Sequence, residues 1–144
     1  MSQFLYKFDS IKKTKDILEK KVQKELADID IQIENLSDEF VKLEKKKENS
    51  VKNLQQYKRV SDLKQLDNYR NNLKQQMEVV KKKIDLLTLK RENKLDELII
   101  KSQESKMFRK LEEVHLEEYN HEENIKEEKI INEVATQKFI RGNN

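Results

Sequence analysis

VQKELADIDIQIENLSDEFVKL, residues 22–43, places Val22, Leu26, Ile29, Ile33, Leu36, Phe40 and Leu43 at alternating steps of four and three. An apolar side chain every 3.5 positions keeps one face of a slightly underwound helix against a neighbouring helix, so the stretch reads as one seam of a coiled coil. Toward the C-terminus Lys47 and Ser50 dilute the seam, and Leu54 and Tyr57 resume it in register. Toward the N-terminus Phe4, Phe8, Ile11 and Leu18 lead into Val22, with Lys15 in one slot. An extra four-residue step near Val22 relaxes the supercoil there.

A second seam runs through Leu73, Met77, Val80, Ile84 and Leu87. It slips at Arg91, Leu95 and Leu98 restore it, and Phe108 and Leu111 carry it further. The two seams flank Arg59 to Asn72, which reads as a break. Asp62 and Gln65 have capping-box spacing, Ser61 being the alternative cap, and Asp67, Asn68, Asn71 and Asn72 compete with helical backbone hydrogen bonds. These features predict an all-α fold: one long antiparallel two-helix coiled-coil hairpin over 1–144, with arms at 3–58 and 73–140 and a short helix or turn at a tip over 59–72. Reversal near residue 65 sets Leu54 near Gln76, Leu43 near Leu87 and Val22 near Phe108. Arms of about 55 residues reach roughly 80 Å at 1.5 Å per residue. A continuous helix in a parallel dimer is the competing architecture, and it would have to bury the polar cluster at 67–72 in its seam.

Composition agrees with a thin helical fold. Charged residues make up 41% of the chain against 35% hydrophobic, too few apolar side chains for a two-layer core but enough for one seam. Disorder shares that composition, yet it would not produce two heptad stripes. Proline is absent and the only glycine is Gly142, so the usual helix breakers are missing. With no cysteine, thiol catalysis, disulfides and zinc knuckles are excluded, and a reducing cytoplasm is the natural setting. The longest apolar clusters, such as Leu98-Ile99-Ile100, fall far short of a membrane span. The net charge of +3 comes from 31 basic residues interleaved with 28 acidic ones, which argues against nucleic acid as a partner. Short runs such as Lys45-Lys46-Lys47 and Lys81-Lys82-Lys83 read as solvated faces.

No enzymatic or cofactor-binding pattern is present. Glycine-rich phosphate loops are missing, and His115 and His121, six residues apart, sit about 240° from each other around a helix, so both are expected to face solvent. Carboxylate pairs at Glu112-Glu113, Glu117-Glu118, Glu122-Glu123 and Glu127-Glu128 recur every five residues, spiralling around the helix as an acidic surface. Tyr57 and Tyr69 flank the expected turn, while Phe4, Phe8, Phe108, Tyr119 and Phe139 populate the other end. Exposed members of that set are candidate anchors for protein partners.

The N-terminal run Tyr6-Lys7-Phe8-Asp9-Ser10-Ile11, the tyrosine-containing turn and the C-terminal run from Glu127 to Arg141 together resemble the FliJ family, a small component of the bacterial flagellar type III export apparatus. Asn132, Glu133, Val134 and Ala135 occupy the places of an Asp-Glu-x-Ala motif found near the end of that family, with Asn132 departing from the usual Asp. The resemblance implies a non-enzymatic cytoplasmic stalk, held at the inner face of the membrane through protein partners only. It implies contacts with the hexameric export ATPase FliI, the export gate protein FlhA and the export chaperones. Carried onto this sequence, the ATPase-facing end comprises Phe4, Phe8, Ile11, Glu133, Val134 and Phe139, and the gate-facing tip Tyr57, Tyr69 and Leu73. The equivalent stalk of a virulence injectisome and a generic scaffold coiled coil are the alternatives.

Overall fold

The computed structural model describes residues 3–52 and 59–142. Two helices account for nearly all of them: α1, Asp9–Lys52, and α2, Val60–Gly142. They pack antiparallel as a two-helix coiled-coil hairpin, and no strand occurs among the described residues. Asp9 opens α1, where its carboxylate complements the N-terminal partial charge and pairs with Lys13 one turn on, at 3.0 Å. α2 opens one step before the expected caps. The Arg59 carbonyl accepts from the Asp62 and Leu63 amides, leaving Ser61 and Asp62 inside the first turn. α2 then continues without interruption through 60–72, so the short tip element expected at 59–72 is the first three turns of a long helix. With no proline or glycine there, the local preferences of Asp67, Asn68, Asn71 and Asn72 cost too little to stop a helix whose Leu66 and Leu73 are buried. Leu54 and Tyr57 lie outside the described residues.

The chain divides into two compact units. In the unit formed by Lys20–Ile99, Val22, Ile29, Leu43, Leu66, Leu73 and Val80 are buried. Leu43, Leu73 and Val80 form one cluster, with Leu36, Phe40, Met77 and Ile84 packed against it. This fixes a register different from the expected one: Leu43 meets Leu73 and Val80 rather than Leu87. Cross-helix ion pairs Asp30–Arg91 and Glu25–Lys94 are both centred near residue 60 rather than 65. Arg70 occupies a seam slot, and its Nε is buried without a hydrogen-bond partner among the described residues.

The seam of α2 does not slip at Arg91. Leu66, Arg70, Leu73, Met77, Val80, Ile84, Leu87, Arg91, Lys94 and Leu98 keep the four-three alternation and are all buried or half-buried. Leu95, expected to restore the seam, is 37% exposed on the flank. Long cationic side chains can occupy seam slots because their stems cover apolar surface while their heads reach acids on the opposite helix.

The other unit combines Met1–Glu19 with Ile100–Asn144. Its α2 slots are Lys101, Ser105, Phe108, Glu112, His115 and Tyr119, and those of α1 are Lys12, Lys15 and Glu19. Ile11, expected in the seam, is 42% exposed. Phe108, expected beside Val22, packs instead against Phe8 at 6.3 Å between ring centres.

Candidate partner-binding site

The segment preceding α1 is held in the unit of Met1–Glu19 and Ile100–Asn144 by aromatic contacts. Phe4 tilts against Tyr119 at 5.4 Å, and Tyr6 and Phe8 meet edge to face at 5.9 Å. The His115 ring lies 5.7 Å from Tyr6 and 6.0 Å from Phe8, so His115 is a packing residue where a solvent-facing one was expected. His121 is exposed. The Tyr6 hydroxyl donates to the Phe108 carbonyl at 2.8 Å, tying the incoming chain to α2. Burial, followed by the nearby Glu112 carboxylate, raises the Tyr6 pKa and keeps that hydroxyl a donor.

Beyond the rings the clasp is polar. Lys12 pairs with Glu112 at 2.6 Å and Lys15 with Glu104 at 3.0 Å. Asp16 accepts from the hydroxyl of Ser105, which has no exposed surface, and from Arg109 at 3.0 Å. The Ser105 hydrogen bond, followed by that of Arg109, holds the Asp16 carboxyl below its ordinary range, and Lys15 does the same for Glu104. Glu112 pushes Lys12 up. A single-helix reading of the heptads could not find this network, since each slot looked like a polar defect until its partner on the other helix was known.

Further along α2 the described residues become uniformly exposed. Every described residue from Asn124 to Gly142 is exposed, yet that stretch carries large apolar side chains. Ile130 is 60% exposed, Ile131 64%, Val134 46%, Phe139 70% and Ile140 58%. An isolated helix gains nothing from displaying these groups to water, which makes this stretch the candidate for contact with another molecule. Glu133 is exposed beside them. Phe4 and Phe8, assigned to the same end from the sequence, are half-buried under ring contacts and act by fixing the N-terminal segment. Of the expected tip residues, Tyr69 is 46% exposed, whereas Leu73 is buried in the core and cannot offer its side chain to a partner.

The family described as flagellar FliJ protein matches residues 4–144, nearly the whole chain. The chain belongs to the FliJ family. Family membership makes it a flagellar, export-related protein and accounts for the coiled-coil hairpin. No curated protein and no solved structure matches it. No helix among the described residues of this FliJ-family chain is long and apolar enough to cross a membrane. No group of His, Asp and Glu among them could hold a metal ion.

Proposed function

We propose that this FliJ-family chain is a non-enzymatic coupling component of the flagellar export apparatus, and that the exposed C-terminal part of α2 is where it binds the export ATPase, FliI. The observation that carries the reading is the apolar surface on Ile130, Ile131, Val134, Phe139 and Ile140, presented on a helix with no partner in its own chain among the described residues. Glu133 supplies a charged contact beside Val134, and Phe4 and Phe8 position the N-terminal segment, leaving Ile11 partly exposed nearby in sequence. Binding to the export gate FlhA falls to the region of Tyr57 and Tyr69, with Leu73 contributing only to the core. Export chaperones complete the set of partners, and the assembled protein works at the cytoplasmic face of the inner membrane.

In this reading ATP hydrolysis belongs to the partner, and the hairpin contributes surface and position. The test uses purified chain with the export ATPase of the same organism, followed by binding, ring formation and ATP turnover. The Val134→Ala/Phe139→Ala variant is expected to keep its helical content while losing at least about tenfold in affinity, since truncating two anchor residues removes a few kcal/mol. Unchanged affinity in that variant, or wild-type chain without effect on ring formation and turnover, overturns the assignment.

A further inference from the structure

A groove between α1 and α2 in the unit Lys20–Ile99 goes beyond this reading and stands independently of it. Phe40 on α1 and Met77 on α2 line it, Lys47, Lys74 and Lys81 flank them, and Glu78 is the one acidic member; its volume is about 220 Å³. Phe40 and Met77 are half-buried seam residues packed against the core, so they form a firm apolar floor. Lys74 and Lys81 are seven residues apart on α2, on the same face, and Lys47 faces them from α1.

These three lysine charges are unused among the described residues. Among the described residues none of the three makes an ion pair, whereas in the same unit Arg91 and Lys94 are both engaged across the seam. Nor are they isolated charges. Within the lining three cations stand against the single carboxylate of Glu78, so the groove itself carries a net positive charge.

We infer that this groove binds an acidic amphipathic segment of another protein, one or two apolar side chains resting on Phe40 and Met77 while carboxylates meet Lys47, Lys74 and Lys81. The size supports side chains rather than a small-molecule cofactor, which needs roughly 300–1,000 Å³. Concavity decides against a lipid bilayer: an anionic membrane attracts the cations without entering a furrow between two helices, whereas helical peptides bind by laying an apolar edge into such grooves.

The probe is a fluorescein-labelled peptide of about fourteen residues, with leucines at i, i+3 and i+7 and glutamates on its polar face. Its affinity for the full chain is read by fluorescence anisotropy at roughly 150 mM salt, where loose long-range attraction is screened. The Lys47→Glu/Lys74→Glu/Lys81→Glu variant is expected to weaken binding at least about tenfold, and Lys45→Glu/Lys82→Glu/Lys83→Glu, with the same change in net charge outside the groove lining, by less than about threefold. The Met77 methyl resonance should shift on titration, and a peptide with glutamine in place of glutamate should not bind. Equal losses in the two charge-reversed variants, binding of the glutamine peptide, or no peptide binding beside tight binding to phosphatidylglycerol vesicles would each overturn the inference. So would self-association of the chain alone that disappears in the groove variant, which would seat a second copy there.

Discussion

Leu73 and Leu95 both look like seam leucines on α2, and the fold treats them in opposite ways. Leu73 is 4% exposed in contact with Leu43 and Val80; Leu95 is 37% exposed, displaced from the seam by Lys94. Leu73→Ala is therefore expected to destabilise the chain by about 2–4 kcal/mol, and Leu95→Ala by under about 0.5 kcal/mol, in urea unfolding followed by circular dichroism. Similar losses in both would mean that the seam slips at Arg91 after all. The apolar heptads from Val22 to Leu43 and from Leu73 to Leu87 were legible because each carries its own period. Lys94, Ser105 and Glu112 were not, because a polar residue in a seam slot declares itself only through the acid, base or hydroxyl facing it from the other helix. His115 was misread for a related reason: its neighbours Tyr6 and Phe8 are more than a hundred residues away in sequence.

The two helices hold each other by different means in the two units. The Lys20–Ile99 unit is centred on the apolar cluster of Leu43, Leu73 and Val80 with Asp30–Arg91 and Glu25–Lys94 across its seam, while the unit containing the N-terminus carries Lys12–Glu112, Lys15–Glu104 and Asp16–Ser105–Arg109 beside a small set of rings. That difference should show in pH. Asp16, Glu104 and Glu25 have folded-state pKa values below their ordinary ones, so the stability they contribute is present above the unfolded carboxylate range and is lost as pH falls through the depressed values. Lys12 and Lys94 are shifted upward by Glu112 and Glu25, so their contribution is present below the unfolded lysine value and is lost as pH rises through the folded one. Thermal stability should be level from about pH 5 to about pH 9, between the carboxylate and lysine ranges, and fall on both sides. Hydrogen exchange at acid pH should open the amides around Asp16 before those around Leu43. A chain that first opens around Leu43 would contradict the division. Register was the part of the pairing that one sequence left undetermined, since both seams remain apolar when slid by a turn or more. Arg91 opposite Asp30 and Lys94 opposite Glu25 agree with the alignment that the Leu43, Leu73 and Val80 cluster fixes, a match visible only when both helices are in place.

For the molecule as a whole, α2 outlasts the contacts that fold it. Phe4, in the segment preceding α1, packs against Tyr119, and from Asn124 onward every described residue is exposed. Helix there is propagated from a nucleus already formed by packing, which adds hydrogen bonds one residue at a time but no tertiary burial. Removing residues 127–144 should therefore lower the far-UV helical signal in proportion to the residues lost and leave the melting temperature of the remainder within about 3 °C, because the free energy removed is small against that of the packed seams. The same truncation deletes Ile130, Ile131, Val134, Phe139 and Ile140, and on the proposed function it is expected to abolish measurable binding to the export ATPase. Differential scanning calorimetry and the binding assay on one preparation separate the two consequences. A large drop in melting temperature would show that the segment packs within its own chain. Retained ATPase binding with an unchanged melting temperature would place the partner elsewhere, for the apolar groups on this stretch would then have no function to account for their exposure.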